Sequence, residues 1–218
     1  LAPPGVSYTT WVRATGNVAV SGGTLQITAD GSSTIAYGVS ALIWDISSLA
    51  ITTDATIQVQ HRLAYGDYSI DEITYIQFEI VKPDGSKIYA YYVKRICDAV
   101  YSSGNAELWD VINRRKVCDY AMSTGSCTSS PPAGHVVKDL GTVPSPCGSS
   151  TIGNSLYSFF PDNFNLRNDL GIDGVVTKVA FVVGDGVNQD GSATGRFDNF
   201  NMAGWSCSLP PAVRVVKS

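Results

Sequence analysis

The residues best suited to chemistry lie near the end of the chain, in residues 175–202 (VVTKVAFVVGDGVNQDGSATGRFDNFNM). Asp185, Asn188 and Asp190 crowd one glycine-punctuated turn with side-chain oxygens, the donor type that hard cations take. In the return strand side chains alternate, so Arg196, Asp198, Phe200 and Met202 are expected on one face, with Phe200 and Met202 inward. That places Asp198 at the rim of the core, where a bare carboxylate is costly. A cation, an arginine or a set of backbone N–H donors would each satisfy it.

A second group is aromatic. Alternation in residues 73–81 (ITYIQFEIV) and 87–96 (KIYAYYVKRI) sends Ile76, Phe78 and Ile80 inward and Tyr75, Gln77 and Glu79 outward. Tyr75 then projects with Tyr89 and Tyr91 from the neighbouring strand. Such a cluster serves either as a platform for sugar rings, whose C–H faces pack on aromatic π clouds, or as cross-strand pairing that stabilises a sheet. Catalytic signatures are thin. Asp71, Glu72 and Glu79 are the carboxylates nearest a sugar-hydrolase pattern, but Asp71 and Glu72 point to opposite strand faces and Glu79 stands alone on its own. His61 reads as a core histidine and His135, after a Pro/Gly loop, as exposed. No G-x-S-x-G, H-E-x-x-H or P-loop occurs. We therefore expect a protein that is not an enzyme.

The five cysteines (Cys97, Cys118, Cys127, Cys147, Cys207) show no CxxC spacing, so disulfides in an oxidising compartment fit better than zinc. Four lie in residues 97–150. The simplest pairing staples that stretch as Cys97 to Cys118 and Cys127 to Cys147, leaving Cys207 free or bridging between chains, although sequence alone leaves fifteen schemes open. The chain starts Leu1-Ala-Pro-Pro-Gly without methionine, which reads as a mature end after removal of a signal peptide and places the protein outside the cell or on its surface.

The elements that must hold these groups are strands. Twenty-one glycines and ten prolines in 218 residues cut the chain into short pieces. Residues 17–27 (NVAVSGGTLQI) form a hairpin signal around Gly22-Gly23. Residues 55–63 alternate as a half-buried strand, and Pro83-Asp84-Gly85 is a turn whose Pro fixes φ and whose Gly supplies a positive one. Residues 175–183 are apolar on both faces, as the middle of a packed sheet requires. Residues 162–172 (DNFNLRNDLGI) carry the one helix, capped by Asp162 or Asn163 and stopped at Gly171. The expectation is one all-β domain, an antiparallel two-sheet sandwich of jelly-roll type. It has one short helix, an extended segment 1–16, a disulfide-stapled insertion 97–150 and a strand-like tail 210–218.

Two segments resemble a known superfamily. Residues 11–30 (a tryptophan, then GNVAVSGGTLQITAD) are similar to the first hairpin of jelly-roll carbohydrate-binding modules and related concanavalin-like domains. Residues 177–200, ending in GRFDNF, are similar to their last strands, and residues 164–172 sit where such domains carry a short helical turn. The likeness covers about a third of the chain and speaks to fold more than activity. It implies a structural calcium near the Asp198-Asn199 pair, with Asp185, Asn188 and Asp190 as a separate oxygen-rich site.

Charged residues are only 16% and mean hydropathy is slightly positive, low charge for a lone secreted domain. With net charge −4 and no basic run, nucleic acid is not the expected partner, and no apolar run is long enough to span a membrane. The functional expectation is a subunit of an extracellular filament, pilus-like fibre or surface layer. It polymerises with copies of itself by donating a terminal strand, residues 1–17 or 212–218. The alternative is a secreted module that binds polysaccharide through Tyr75, Tyr89 and Tyr91.

Overall fold

The computed structural model describes residues 2–3, 5–32, 34–64, 72–96, 105–143, 160–186, 192–202 and 205–207. Its elements in chain order are β1 (Ser7–Arg13), β2 (Thr15–Ser21), β3 (Thr24–Asp30), β4 (Tyr37–Asp45), β5 (Thr56–Ala64), β6 (Ile73–Val81), β7 (Lys87–Ile96), β8 (Asn105–Asp110), β9 (Arg115–Ala121), β10 (Ser126–Cys127), β11 (His135–Val143), β12 (Phe160–Asn165), α1 (Leu166–Leu170), β13 (Val175–Gly186), β14 (Ala193–Met202) and β15 (Trp205–Cys207). Two large sheets make the sandwich. Sheet A runs β1-β4-β13-β6-β7-β11, and sheet B runs β12-β5-β14-β3-β2, with β15 paired to β14. Their pairings are antiparallel except β7 with β11, which is parallel.

The core between sheets A and B is aromatic and aliphatic. Phe181 sits at its centre, with Trp44, Phe197 and Phe200 around it at ring separations of 4.7, 5.3 and 5.2 Å. β13 lies in the middle of sheet A between β4 and β6, where its two apolar faces require it to be.

In the stretch 97–150, the described residues 105–143 are not a loop. Within it β8, β9 and β10 form a third, three-stranded sheet, C, and β11 joins sheet A. Sheet C packs on the outer face of sheet A and closes a second core. Ala106, Leu108, Val117 and Tyr120 meet Val39, Ala41, Tyr75 and Val182 there. This is why β6 is buried at nearly every position rather than at alternate ones.

The helix is shorter than its sequence pattern. Phe160–Asn165 is strand, paired with β5, and the cap is Asn165, whose side chain accepts from the Asn168 N–H at 2.9 Å. Gly171 ends it with φ of 66°. The Gly22-Gly23 hairpin joins β2 to β3, and Pro83-Asp84-Gly85 joins β6 to β7, both as the turn chemistry predicts.

Candidate functional site: a polar layer and an open sheet edge

Tyr75, Tyr89 and Tyr91 do share one face of sheet A, but that face is not open. Sheet C covers it, and all three tyrosines are buried. The Tyr75 hydroxyl donates to the Trp109 carbonyl at 2.9 Å. Burial pushes the Tyr75 and Tyr91 hydroxyls far above the ordinary phenol range. The expected sugar platform is therefore corrected: "outward" from the sandwich here means toward a second layer, so the three rings are a packing surface with polar handles.

His135, expected to be exposed, is buried at the start of β11. Its ring stacks against Tyr89 and Tyr91, at 5.1 and 5.8 Å. Its Nε2 lies 2.7 Å from an Arg115 Nη and its Nδ1 2.8 Å from the Tyr91 hydroxyl. A guanidinium only donates, so Nε2 accepts, and the proton of a neutral imidazole sits on Nδ1. Burial lowers the His135 pKa, with Arg115 acting in the same direction and Asp110 against both.

The carboxylates of this layer are occupied. Fully buried Asp110 accepts from Gln77 Nε2 at 2.7 Å, from the Asn113 backbone and side chain at 3.1 and 2.8 Å, and from Arg115 Nε at 3.3 Å. Glu79 accepts from Lys87 Nζ at 3.1 Å and Thr177 Oγ1 at 2.8 Å. The register explains the pattern. Ser7, Asp45, Lys178, Glu79, Tyr89 and His135 are successive cross-strand partners, a polar row across all six strands of sheet A. Asp110 binds the β8 end to sheet A through Gln77, while Glu79 links β6 to β7 and β13 within sheet A.

Asp198 does not share a face with Phe200. The register slips between Asp198 and Asn201, with Asn199 at φ of 49°, so the inward side switches from Phe197 to Phe200. Asp198 is left beside the bulge, where its Oδ1 accepts from the Asn199 N–H at 2.8 Å. Asp185 is buried at the end of β13, and its Oδ2 accepts from the Ala193 N–H at 2.8 Å. Asn188 and Asp190 lie outside the described residues. Among the described residues no group of three or more His, Cys, Asp or Glu is placed to hold a metal.

Among the described residues a disulfide joins Cys118 to Cys127, with Cα atoms 5.7 Å apart, which overturns the pairing of Cys118 with Cys97 and of Cys127 with Cys147. The reason is local. β9 and β10 form a hairpin in which Cys127 lies opposite Tyr120, close enough for its sulfur to reach Cys118. The Ser123-Thr-Gly125 turn was the signal for it. Cys97 and Cys147 lie outside the described residues. Cys207 is in β15, with its side chain outside the description.

The feature that sequence reasoning placed wrongly is β1. Residues 7–13 are not a loose segment but the outermost strand of sheet A, paired in unbroken antiparallel register with β4. The other side of β1 has no partner strand among the described residues. It contains no lysine, proline or bulge, and its one charged residue is Arg13 at its end. The exposed large hydrophobics among the described residues are Tyr8 and Val12, at 47% and 40%, both on this strand and on one face of it. Beside β1 is a groove of 210 Å³, lined from the sheet by Ser7, Trp11, Ile43 and Lys178 and from the β8–β9 connection by Ile112 and Arg114. Trp11 rests against Trp109 at 6.1 Å, and the Arg13 guanidinium covers the Trp109 ring at 4.2 Å.

No protein-family model matches the sequence, and no curated protein is similar to it in sequence. Among solved structures, a mutant of the ENZbleach xylanase is 14% identical with a TM-score of 0.40, over 97% of this chain and 87% of that one. The xyloglucanase domain of NopAA, a type three effector from Sinorhizobium fredii solved with cellobiose, is 11% identical with a TM-score of 0.33, over 94% and 100%. The glycoside hydrolase domain of Endo-D from Streptococcus pneumoniae R6 is 11% identical with a TM-score of 0.34, and this chain spans 22% of its length. At these levels the likeness assigns no activity.

Proposed function

We propose that the protein is a structural subunit of an extracellular assembly, joined copy to copy by strand pairing, with β1 as the acceptor edge. The observation that carries this reading is the β1 edge, which has no second partner strand among the described residues and exposes Tyr8 and Val12. Residues 7–13 already belong to their own sheet, so the donor in this reading is residues 212–218 of the next copy. These lie outside the described residues, and Val213 and Val215 alternate in their sequence. A contact between two different surfaces does not close on itself and so propagates as a fibre. The Cys118–Cys127 disulfide is in keeping with an oxidising, extracellular setting.

Negative-stain imaging of the wild type beside Val12→Lys tests the reading. The wild type is expected to form regular fibres, and the variant, with a charge on the edge, to remain monomeric. Wild-type protein that stays monodisperse at high concentration would overturn it.

A second reading, polysaccharide binding, is favoured by the groove beside β1. There a half-buried tryptophan, hydroxyls and opposed charges at Asp45 and Lys178 offer the mix that sugar rings use. Affinity electrophoresis through xylan or hydroxyethylcellulose separates the two. Retardation that Trp11→Ala removes, without fibres, belongs to the second.

A further inference from the structure

Lys94 of β7 and Asp162 of β12 meet across the interior of the sandwich, one from each large sheet. Lys94 continues the inward face of Ala90 and Tyr92, and Asp162 that of Phe164. Lys94 Nζ lies 3.1 Å from Oδ1 and 3.5 Å from Oδ2 of Asp162, and their side chains are only 8% and 14% exposed. The stacked rings of Tyr92 and Phe164, 4.1 Å apart, flank the pair on the core side. Thr74 is the cross-strand partner of Lys94 on β6. Glu72, the residue just before β6, is buried to 1%. A primary amine and a carboxyl carbon thus meet where little water reaches, with the buried Glu72 just before the strand next to β7. An ion pair there recovers its desolvation cost poorly.

We propose that Lys94 and Asp162 condense into an intramolecular amide that joins sheet A to sheet B. A proton passes from the ammonium to the Asp162 carboxylate along their hydrogen bond, which leaves a neutral amine beside a neutral acid. The Nζ lone pair attacks Cγ, and the N–C bond forms. Glu72 takes the second amine proton and returns it to the departing hydroxyl. The C–O bond breaks and one water leaves. Nothing is oxidised or reduced, and no co-reactant is needed. Fixed proximity supplies the driving geometry, because two side chains held in contact react as if at very high concentration. The product is a covalent rung from β7, inside sheet A, to the edge strand β12 of sheet B. It would hold in place an edge strand of sheet B, whether or not copies of the protein assemble.

Intact-mass measurement of the full chain after complete reduction of its disulfides tests this. The wild type is expected to be lighter than its sequence by one water, and proteolysis should release a branched peptide joining the segments around Lys94 and Asp162. Lys94→Arg and Asp162→Ala should show their full sequence masses while circular dichroism reports a folded β protein. Glu72→Gln should lose the water more slowly, by roughly 100-fold, in a time course after refolding. Equal rates for Glu72→Gln and wild type would overturn the role of Glu72. A folded wild type at full sequence mass after prolonged incubation would overturn the bond itself and leave an ion pair only.

Discussion

The two edges of sheet A are finished in different ways. β11 runs parallel to β7, slips register between Asp139 and Thr142, and is clasped from outside. Asp139 accepts from Arg95 Nε and Nη2 at 3.1 and 2.9 Å and from the Tyr120 hydroxyl at 3.0 Å, which ties the edge to sheet C. Gly125, at φ of 67°, sits so close that a Cβ would come within 2.4 Å of the Asp139 carboxylate. β1 also touches sheet C, through Trp11 against Trp109 and through Arg13, which covers that ring and lies 3.8 Å from Glu107, but its pairing carries no bulge. It is regular, lacks lysine and proline, and presents Tyr8 and Val12 to solvent. An edge spends stability on bulges, buried charge and cover when pairing must be prevented. The register slip at β11 has no counterpart at β1 among the described residues, and in the proposed reading β1 is the edge left available.

Substitutions should separate the edges by their cost in folding stability. Asp139→Ala strips three hydrogen bonds and leaves the mostly buried Arg95 guanidinium without its carboxylate, held only by the Met122 carbonyl. We expect a loss of about 3 kcal/mol in urea denaturation. Gly125→Ala adds a Cβ where neither backbone nor carboxylate has room, and should cost about 2 kcal/mol by the same measurement.

The pH dependence at the start of β11 is smaller and has a definite sign. The His135 pKa is lowered in the folded state, so the unfolded chain takes up the proton first. Its contribution is complete above the ordinary histidine range, about pH 6.5, and falls as pH drops from there toward the folded value. Denaturation midpoints should decline across that window in the wild type, with a shallower decline in His135→Gln. At the β1 edge, Tyr8→Ser and Val12→Lys should change monomer stability by less than about 0.5 kcal/mol, since neither removes a buried contact. A large loss there would mean that β1 is as enclosed as β11 and would erase the contrast.

The sandwich was legible where local rules decide. Glycine turns, the alternation in β5, the inward face of β6, the two-sided apolarity of β13 and the stop at Gly171 all read correctly. What was not legible came from packing at a distance. Alternation shows that Tyr75, Tyr89 and Tyr91 share a face but not that another sheet covers it, because polar atoms with buried partners look in sequence like polar atoms in water. The insertion hid its strands behind serine and glycine turns, so its disulfide was drawn at the wrong scale. The Asp198 bulge could not be seen because one extra residue inverts every face beyond it. The edge position of β1 depends on which strand pairs with β4, a non-local choice.

Hydrogen exchange along β1 tests the central claim most directly. In dilute protein the amides of residues 7–13 that point away from β4 should exchange fast. As concentration rises and fibres form, those amides should become protected while the β11 segment stays unchanged. Fibres that form with β1 exchanging as fast as in the monomer would contradict the account.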